Sequence, residues 1–247
     1  MTAPGDRHRH TAAVTAYIAT HVARAHDSSG DEGSSWFRTG SPSDELNGVL
    51  RVAGDLPVEI ERLRKVFDGI PACWHFWPGI DSPEVPELFA QQGFSLFETE
   101  PIMVYSDADR TAPRGRRESA RIEEVTDDAG LARWAALWAD TPDTKELVDG
   151  LRQGLERAST RYLVWREHGE VLGCAAVVTS DAGASIEHIV TRADHRGRGI
   201  GTALTECALD LALESRTAPV ILTASPDGEQ IYRRLGFVTV GYVERYA

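Results

Sequence analysis

Residues 189 to 202 read IVTRADHRGRGIGT. A β-branched apolar run gives way to glycines at three alternate positions. A pattern of helical period follows at once, with Leu204, Cys207, Ala208 and Leu211 on one face. A strand that enters a helix through glycines leaves a row of backbone N–H groups without acceptors at the helix N-terminus. Glycine lets that backbone approach a ligand closely, and the helix dipole favours negative charge there. The stretch therefore predicts a strand–turn–helix unit that cradles a phosphate-bearing ligand. Two phosphate motifs are excluded by spacing. A dinucleotide fingerprint counted from Gly197 needs glycine where Thr202 stands, and the Gly-Lys-Ser/Thr of a Walker loop does not occur.

The flanking sequence supplies the other elements. Residues 11 to 25 carry an apolar stripe and predict a helix, and 26 to 35 (HDSSGDEGSS) reads as a loop. Trp36 to Thr39 and Asn47 to Val52 predict short strands around a Gly-Ser-Pro turn. Asp55 and Pro57 open a helix with Ile60, Leu63 and Phe67 on one face. Residues 72 to 79 (ACWHFWPG) read as a buried strand, Pro83 to Gly93 as a short helix, and Ser95 to Ser106 as one long strand or a strand pair. The polar stretch Asp107 to Ser119 is the linker candidate and divides the chain into 1–115 and 120–247. After it come a strand (Ala120 to Val125), a helix capped by Asp127, and a helix bearing Leu147, Val148, Leu151 and Leu155. A hairpin follows (Tyr162 to Arg166, Val171 to Thr179), then the strand Ser185 to Thr191 and the glycine turn with its helix. A strand (Pro219 to Ala224), a helix (Asp227 to Leu235) and a last strand region (Phe237 to Tyr246) end the order β-α-α-β-β-β-α-β-α-β, a mixed α/β domain.

Composition narrows the functional class. With 247 residues and 42% hydrophobic content the chain can bury a normal core, and no run reaches membrane-spanning length. A net charge of −12 argues against nucleic-acid or anionic-membrane binding, which need a basic footprint, and favours cationic acceptors such as amines. Cys73, Cys174 and Cys207 sit in apolar runs without CxxC spacing, as buried reduced thiols of a cytoplasmic protein would.

Two motifs then carry a resemblance. Arg196-Gly197-Arg198-Gly199-Ile200-Gly201 matches the acyl-CoA signature of the GNAT superfamily of acyl-CoA N-acyltransferases: Gln or Arg, two residues, Gly, one residue, Gly or Ala. Ile231-Tyr232-Arg233-Arg234-Leu235-Gly236-Phe237 resembles the family's aromatic-bearing helix that ends in Gly-Phe. The resemblance covers about residues 120 to 247 and implies the mixed-sheet GNAT fold there. It also implies that the amides from Gly197 to Thr202 hold the CoA pyrophosphate. The backbone of Ile189, Val190 and Thr191 would pair with the pantetheine arm as an added strand does. A bulge is expected to splay this strand from the next and make room for the thioester. Acetyl-CoA is the implied co-substrate, with no metal.

Acetyl transfer to an amine needs a neutral nucleophile, a stabilised thioester oxygen and a proton for the leaving thiolate. Tyr232 matches the family's leaving-group acid. Glu187, on the strand before the turn, is the first candidate for the base, directly or through a water. His188 is the second, but strand alternation aims it at the opposite face. Arg196 and Arg198 are candidates for phosphate contact, and His195 reads as solvated. Ser225 stands near a position where many members carry asparagine. The acceptor pocket is expected around Ala129 to Ala158, with Trp134, Trp138 and Asp140, and on the inner face of the first half. The function implied is direct acetylation of a primary amine on a small molecule or peptide. The alternative is a non-catalytic acyl-CoA-binding module.

The first half carries an echo of the second. Leu88-Phe89-Ala90-Gln91-Gln92-Gly93-Phe94 aligns with residues 231–237, but Phe89 replaces the tyrosine and no glycine signature precedes the helix near Pro57. A smaller, degenerate GNAT-like α/β half is expected there, as in tandem members of the superfamily, with one active site in the second half. Such a half can replace a dimer partner, so both monomer and homodimer stay open.

Overall fold

The computed structural model describes residues 4–30, 33–109, 111 and 121–247. The first half runs α1 (Pro4–Ala23), β1 (Asp27–Ser29), β2 (Ser35–Arg38), β3 (Asn47–Arg51), α2 (Leu56–Val66), β4 (Cys73–Phe76), α3 (Val85–Gln91) and β5 (Leu96–Tyr105). The second runs β6 (Ile122–Val125), α4 (Asp128–Trp138), α5 (Lys145–Glu156), β7 (Thr160–Glu167), β8 (Glu170–Ser180), β9 (Gly183–Thr191), α6 (Ile200–Glu214), β10 (Val220–Thr223), α7 (Pro226–Arg234) and β11 (Phe237–Tyr246). This is the element order expected for the second half. Most of the linker candidate lies outside the described residues, which keep from it a 3-10 turn at Asp107–Asp109 and Thr111.

Local chemistry explains the boundaries. The Asp55 carboxylate accepts the Val58 amide at 3.4 Å, and the Asp127 carboxylate accepts that of Gly130 at 2.7 Å, each satisfying a free donor of a first turn. The β7–β8 hairpin closes through His168 and Gly169 at φ 51° and 86°, the two-residue turn whose twist suits antiparallel strands. Residues 95 to 106 form one strand, not two. The stretch from His26 to Ser35 departs from its loop assignment, because Asp27–Ser29 pairs with β2. That edge strand is polar and is held by backbone bonds and the Arg38–Asp27 ion pair, so no apolar alternation announces it.

All strands join one mixed sheet in the order β1-β2-β3-β4-β11-β5-β10-β9-β8-β7-β6. From either end the same rule runs inward. β2·β3 and β8·β9 are antiparallel, and β3·β4 and β9·β10 are parallel. Each parallel pair is then followed by an antiparallel strand from the other half, β11 beside β4 and β5 beside β10. The exchanged strands pair with each other from Phe237↔Tyr105 to Tyr246↔Leu96. Alternate residues of β7 and β8 point to opposite layers. Tyr162, Val164, Cys174 and Ala176 pack under α4 and α5, while Leu163, Trp165, Ala175 and Val177 pack under α6. Helix α1 covers Ile102, Ile221 and Val243 at the exchange, so it is anchored on both halves. No helix among the described residues is long and apolar enough to cross a membrane.

Because β5 lies between β10 and β11, the second half lacks an interior strand when taken alone. A fragment of residues 120–247 is expected to show no cooperative urea transition by circular dichroism, and co-expression with residues 1–115 to restore one.

Candidate active site

The site begins with a bulge. β8 and β9 pair Ala176 with Glu187 and Cys174 with Val190, so three steps along β9 match two along β8. His188 absorbs the extra residue at φ 54°, a left-handed conformation that is costly for a side chain with a Cβ. The other edge of β9 pairs with β10 only at Ala184 and Ser185. Beyond Ser185 the strands part, and residues 185 to 190 face Leu222, Thr223, Ser225 and Tyr232 across a cavity of about 440 Å³. The bulge also changes parity. His188 does not leave for the opposite face as strand alternation predicts, but lines this cavity beside Glu187.

At the end of β9 the chain makes a 3-10 turn, Ala193–His195, and then two left-handed glycines, Gly197 (φ 75°) and Gly199 (φ 84°). Gly199 is the cap residue of α6, and a side chain there would meet open space but a strained backbone. The amides of Gly197, Arg198, Gly199, Ile200, Gly201 and Thr202 have no acceptor among the described residues. This row of donors on a 15-residue helix fits a diphosphate. The unladdered edge of Ile189, Val190 and Thr191 leads from it into the cavity and fits an extended amide-bearing arm. Arg198 is turned to Glu167 at 2.8 Å, Arg196 reaches the Thr191 carbonyl at 3.5 Å, and His195 pairs with Asp194 at 2.7 Å.

Tyr232 comes from α7, whose first turn contains Pro226 and is capped at Ser225. Its ring lies back over Gly228, one turn earlier, where a Cβ would stand 2.7 Å from the ring edge. The hydroxyl has no hydrogen-bond partner among the described residues. Burial, with Glu100 nearby, pushes it up to about 12, so it stays protonated at neutral pH and can donate.

Glu187 sits in an ionic cluster that the sequence did not disclose. Arg24, just past α1, donates to its carboxylate at 2.7 Å, and the Ser185 hydroxyl donates at 2.6 Å. His21 Nε2 lies 3.5 Å away. Burial pushes the Glu187 carboxyl up, but the surrounding cations and the Ser185 bond outweigh it and hold it at about 2. Burial holds His21 neutral above about 3, so at neutral pH the Arg24 guanidinium carries this effect. Arg24 stacks over Phe37 at 4.6 Å and also donates to the Glu45 carbonyl at 2.8 Å. No local pattern links residues 163 positions apart in sequence, so only the tertiary structure reveals this pair.

The acceptor side of the cavity belongs mainly to the first half. Tyr17, His21, Arg24, Asp44, Glu45, Asn47, Cys73 and His75 line it, with Phe97, Glu98 and Glu100 of β5 and Arg245 of β11. Of the residues expected from 129–158, Trp138 lines it. Trp134 is buried in the core with its indole donating to the Ala175 carbonyl at 3.0 Å, and Asp140 is exposed. Arg245 bonds Glu98 and Glu100 at 2.7 and 2.6 Å, and Arg24 bonds Glu187, which leaves Asp44 and Glu45 as further negative charge on the wall. In the first half the corresponding parallel pair does not open. The Trp77 indole donates to the Leu50 carbonyl at 2.8 Å and His75 Nδ1 donates to that of Val49 at 3.0 Å, so side chains occupy the gap.

Comparison with known proteins gives this arrangement a family. Residues 158–239 match the family model of the acetyltransferase (GNAT) domain. No curated protein matches the sequence significantly. Among solved structures, a GCN5-related N-acetyltransferase from Kribbella flavida is 18% identical, covering 94% of this chain and 93% of its own, with a TM-score of 0.67. A GCN5-related N-acetyltransferase-like protein from Streptococcus suis is 18% identical over 89% and 87%, with a TM-score of 0.59. A tandem GNAT protein from the clavulanic acid biosynthesis pathway is 17% identical over 87% and 78%, with a TM-score of 0.56. Residues 158–239 thus match the acetyltransferase (GNAT) domain, and the chain shares its fold with these proteins over most of its length.

The low value at Glu187 makes an acid-stability prediction. A carboxyl depressed in the folded state adds stability above its unfolded value of about 4.3 and loses it as pH falls toward the folded value. Glu187→Gln strands Arg24 and should cost about 3–5 kcal/mol at pH 7. In urea unfolding, this gap between wild type and variant should narrow between pH 5 and pH 3.

Proposed function

We propose that the protein is an acetyl-CoA-dependent N-acetyltransferase that acylates a primary amine by direct transfer. The observation that carries this reading is one cavity lined by the open edge of β9 at Ile189 and Val190, by Tyr232, whose hydroxyl has no partner among the described residues, and by a carboxylate-rich wall, with the free amide row of residues 197–202 following at the end of that strand. Five carboxylates line it (Asp44, Glu45, Glu98, Glu100, Glu187) against two guanidiniums (Arg24, Arg245), which favours a cationic acceptor over an anionic one.

In this reading the amides from Gly197 to Thr202 bind the diphosphate of acetyl-CoA. Ile189, Val190 and Thr191 align its arm so that the thioester lies in the gap opened by the bulge. Arg196 and Arg198 contribute charge at the rim rather than contacts that fix position. Glu187 accepts a hydrogen bond from the acceptor amine, directly or through a water. The amine nitrogen bonds the acetyl carbon as the C–S bond breaks, and Tyr232 gives its proton to the departing sulfur. With one helix-terminal cradle and the first-half gap closed by Trp77 and His75, one acyl-CoA is bound per chain. The first half serves as a degenerate GNAT-like partner that supplies the acceptor wall.

The test is thiol release from acetyl-CoA across a panel of monoamines, diamines and peptide amines, with product mass shift as confirmation. Transfer to at least one amine is expected. Tight acetyl-CoA binding with no transfer would replace this reading with a non-catalytic acyl-CoA-binding module. Tyr232→Phe should lower kcat at least about tenfold with acetyl-CoA affinity nearly unchanged. An unaltered kcat removes the tyrosine from the chemistry.

A further inference from the structure

The side of His188 away from the acyl-CoA cradle carries a second arrangement. Its ring packs edge-on against the paired indoles of Trp134 and Trp138, with ring centres at 5.7 and 4.8 Å, and its side chain is 10% exposed. Two polar groups from the first half meet its two nitrogens. Arg24 Nη1 lies 3.5 Å from Nε2, and the Glu45 carboxylate lies 3.4 Å from Nδ1. A guanidinium can only donate and a carboxylate can only accept. The Arg24 and Glu45 contacts match the tautomer with the proton on Nδ1 toward Glu45 and the lone pair on Nε2, where Glu187 Oε2 lies 3.7 Å away.

Glu45 is fixed for this task, although its side chain is 60% exposed. It stands on a 3-10 turn, Asp44–Leu46, tied to the fully buried Asn47. The Asn47 side chain accepts from the Thr39 and Gly40 amides and donates to the carbonyls of Ser41, Ser43 and Pro71, at 2.8 to 3.1 Å. Arg24 donates to the Glu45 carbonyl itself. A solvent-facing carboxylate on so constrained a loop, aimed at a histidine in a strained conformation, has no role in packing the core.

We propose that the first half completes the active site, with Glu45 and Arg24 as positioning residues that orient His188 to take the acceptor's proton. This rests on the acetyltransferase reading above and extends it. As the N–C bond forms and the C–S bond breaks, the amine proton passes to Nε2, directly or by way of Glu187. The sulfur takes the Tyr232 proton. The imidazolium keeps its Nδ1 proton hydrogen-bonded to Glu45, its Nε2 proton returns to solvent through the open cavity when the products leave, and Tyr232 is reprotonated from solvent. Besides Glu45, the charged and titratable groups around His188 are Arg24 and His21 of the α1 region, Glu187 of β9 and Cys174 of β8, whose thiol donates to the His188 carbonyl at 3.7 Å. From α4 it meets only indoles.

Two measurements test this on the full-length chain. The first is the ring nitrogen chemical shifts of His188 in wild type, assigned with His188→Asn. The expected result is a neutral ring protonated on Nδ1, with that preference lost in Glu45→Ala. A ring protonated on Nε2 overturns the proposal whether or not an acceptor is known. The second is Glu45→Gln, which keeps the shape and removes the charge at an exposed position. With the best amine of the panel, kcat should fall about tenfold with acetyl-CoA KM nearly unchanged, and the acidic limb of the pH–rate profile should move to lower pH. An active wild type with an unchanged kcat and limb in Glu45→Gln overturns this inference alone. A wild type that acetylates no amine overturns the proposed function and this inference together.

Discussion

The placement of β5 between β10 and β11 is the constraint from which the rest of the molecule follows. A short interior strand such as β10 is held in the sheet by the ladders on its two sides. Its β9 side is laddered at two positions only, because the bulge at His188 pulls the strands apart. Its other side is held by β5 through Ile102, Met103 and Val104. The cleft can therefore stay open in the middle of the sheet without the sheet dividing there. The same exchange carries Glu98 and Glu100 of β5, with Arg245 of β11, to the floor of the cavity.

The electrostatics of the cavity are organised by two buried guanidiniums rather than by its carboxylates. Arg24 and Arg245 each anchor acidic side chains on the cavity wall, Glu187 for the first and Glu98 and Glu100 for the second. Such pairs add little net stability, since desolvation consumes most of the attraction, but losing either partner is costly. Their effect is to keep charge fixed in place. A wall of fixed carboxylates can bind a cation with little reorganisation, which is the property that favours an amine acceptor.

Much of the element order was legible because its signals are local. Cap residues Asp55 and Asp127, the His168-Gly169 turn and the alternation along β7 and β8 depend on neighbours a few positions apart. The glycine turn was legible by motif, and Gly197 and Gly199 stand in left-handed conformations. The ionic cluster around Glu187 was not legible. Its members come from α1, a 3-10 turn and β9, and no periodicity relates Arg24 or Glu45 to a strand far along the chain. The orientation of His188 escaped for a different reason, since a bulge resets the parity on which strand reading depends. The polar edge strand β1 carries no apolar pattern at all.

The exchanged strands also bear on how such a chain can change over time. In a pair of beads on a string, a unit that has stopped doing chemistry can be trimmed away by deletion. Here the segment without the glycine cradle holds the interior strand of its neighbour and contributes the wall opposite Tyr232. Its removal would open the sheet of the part that keeps the cradle. Two-way exchange of this kind works as a ratchet: once the strands have been traded, neither half can be given up.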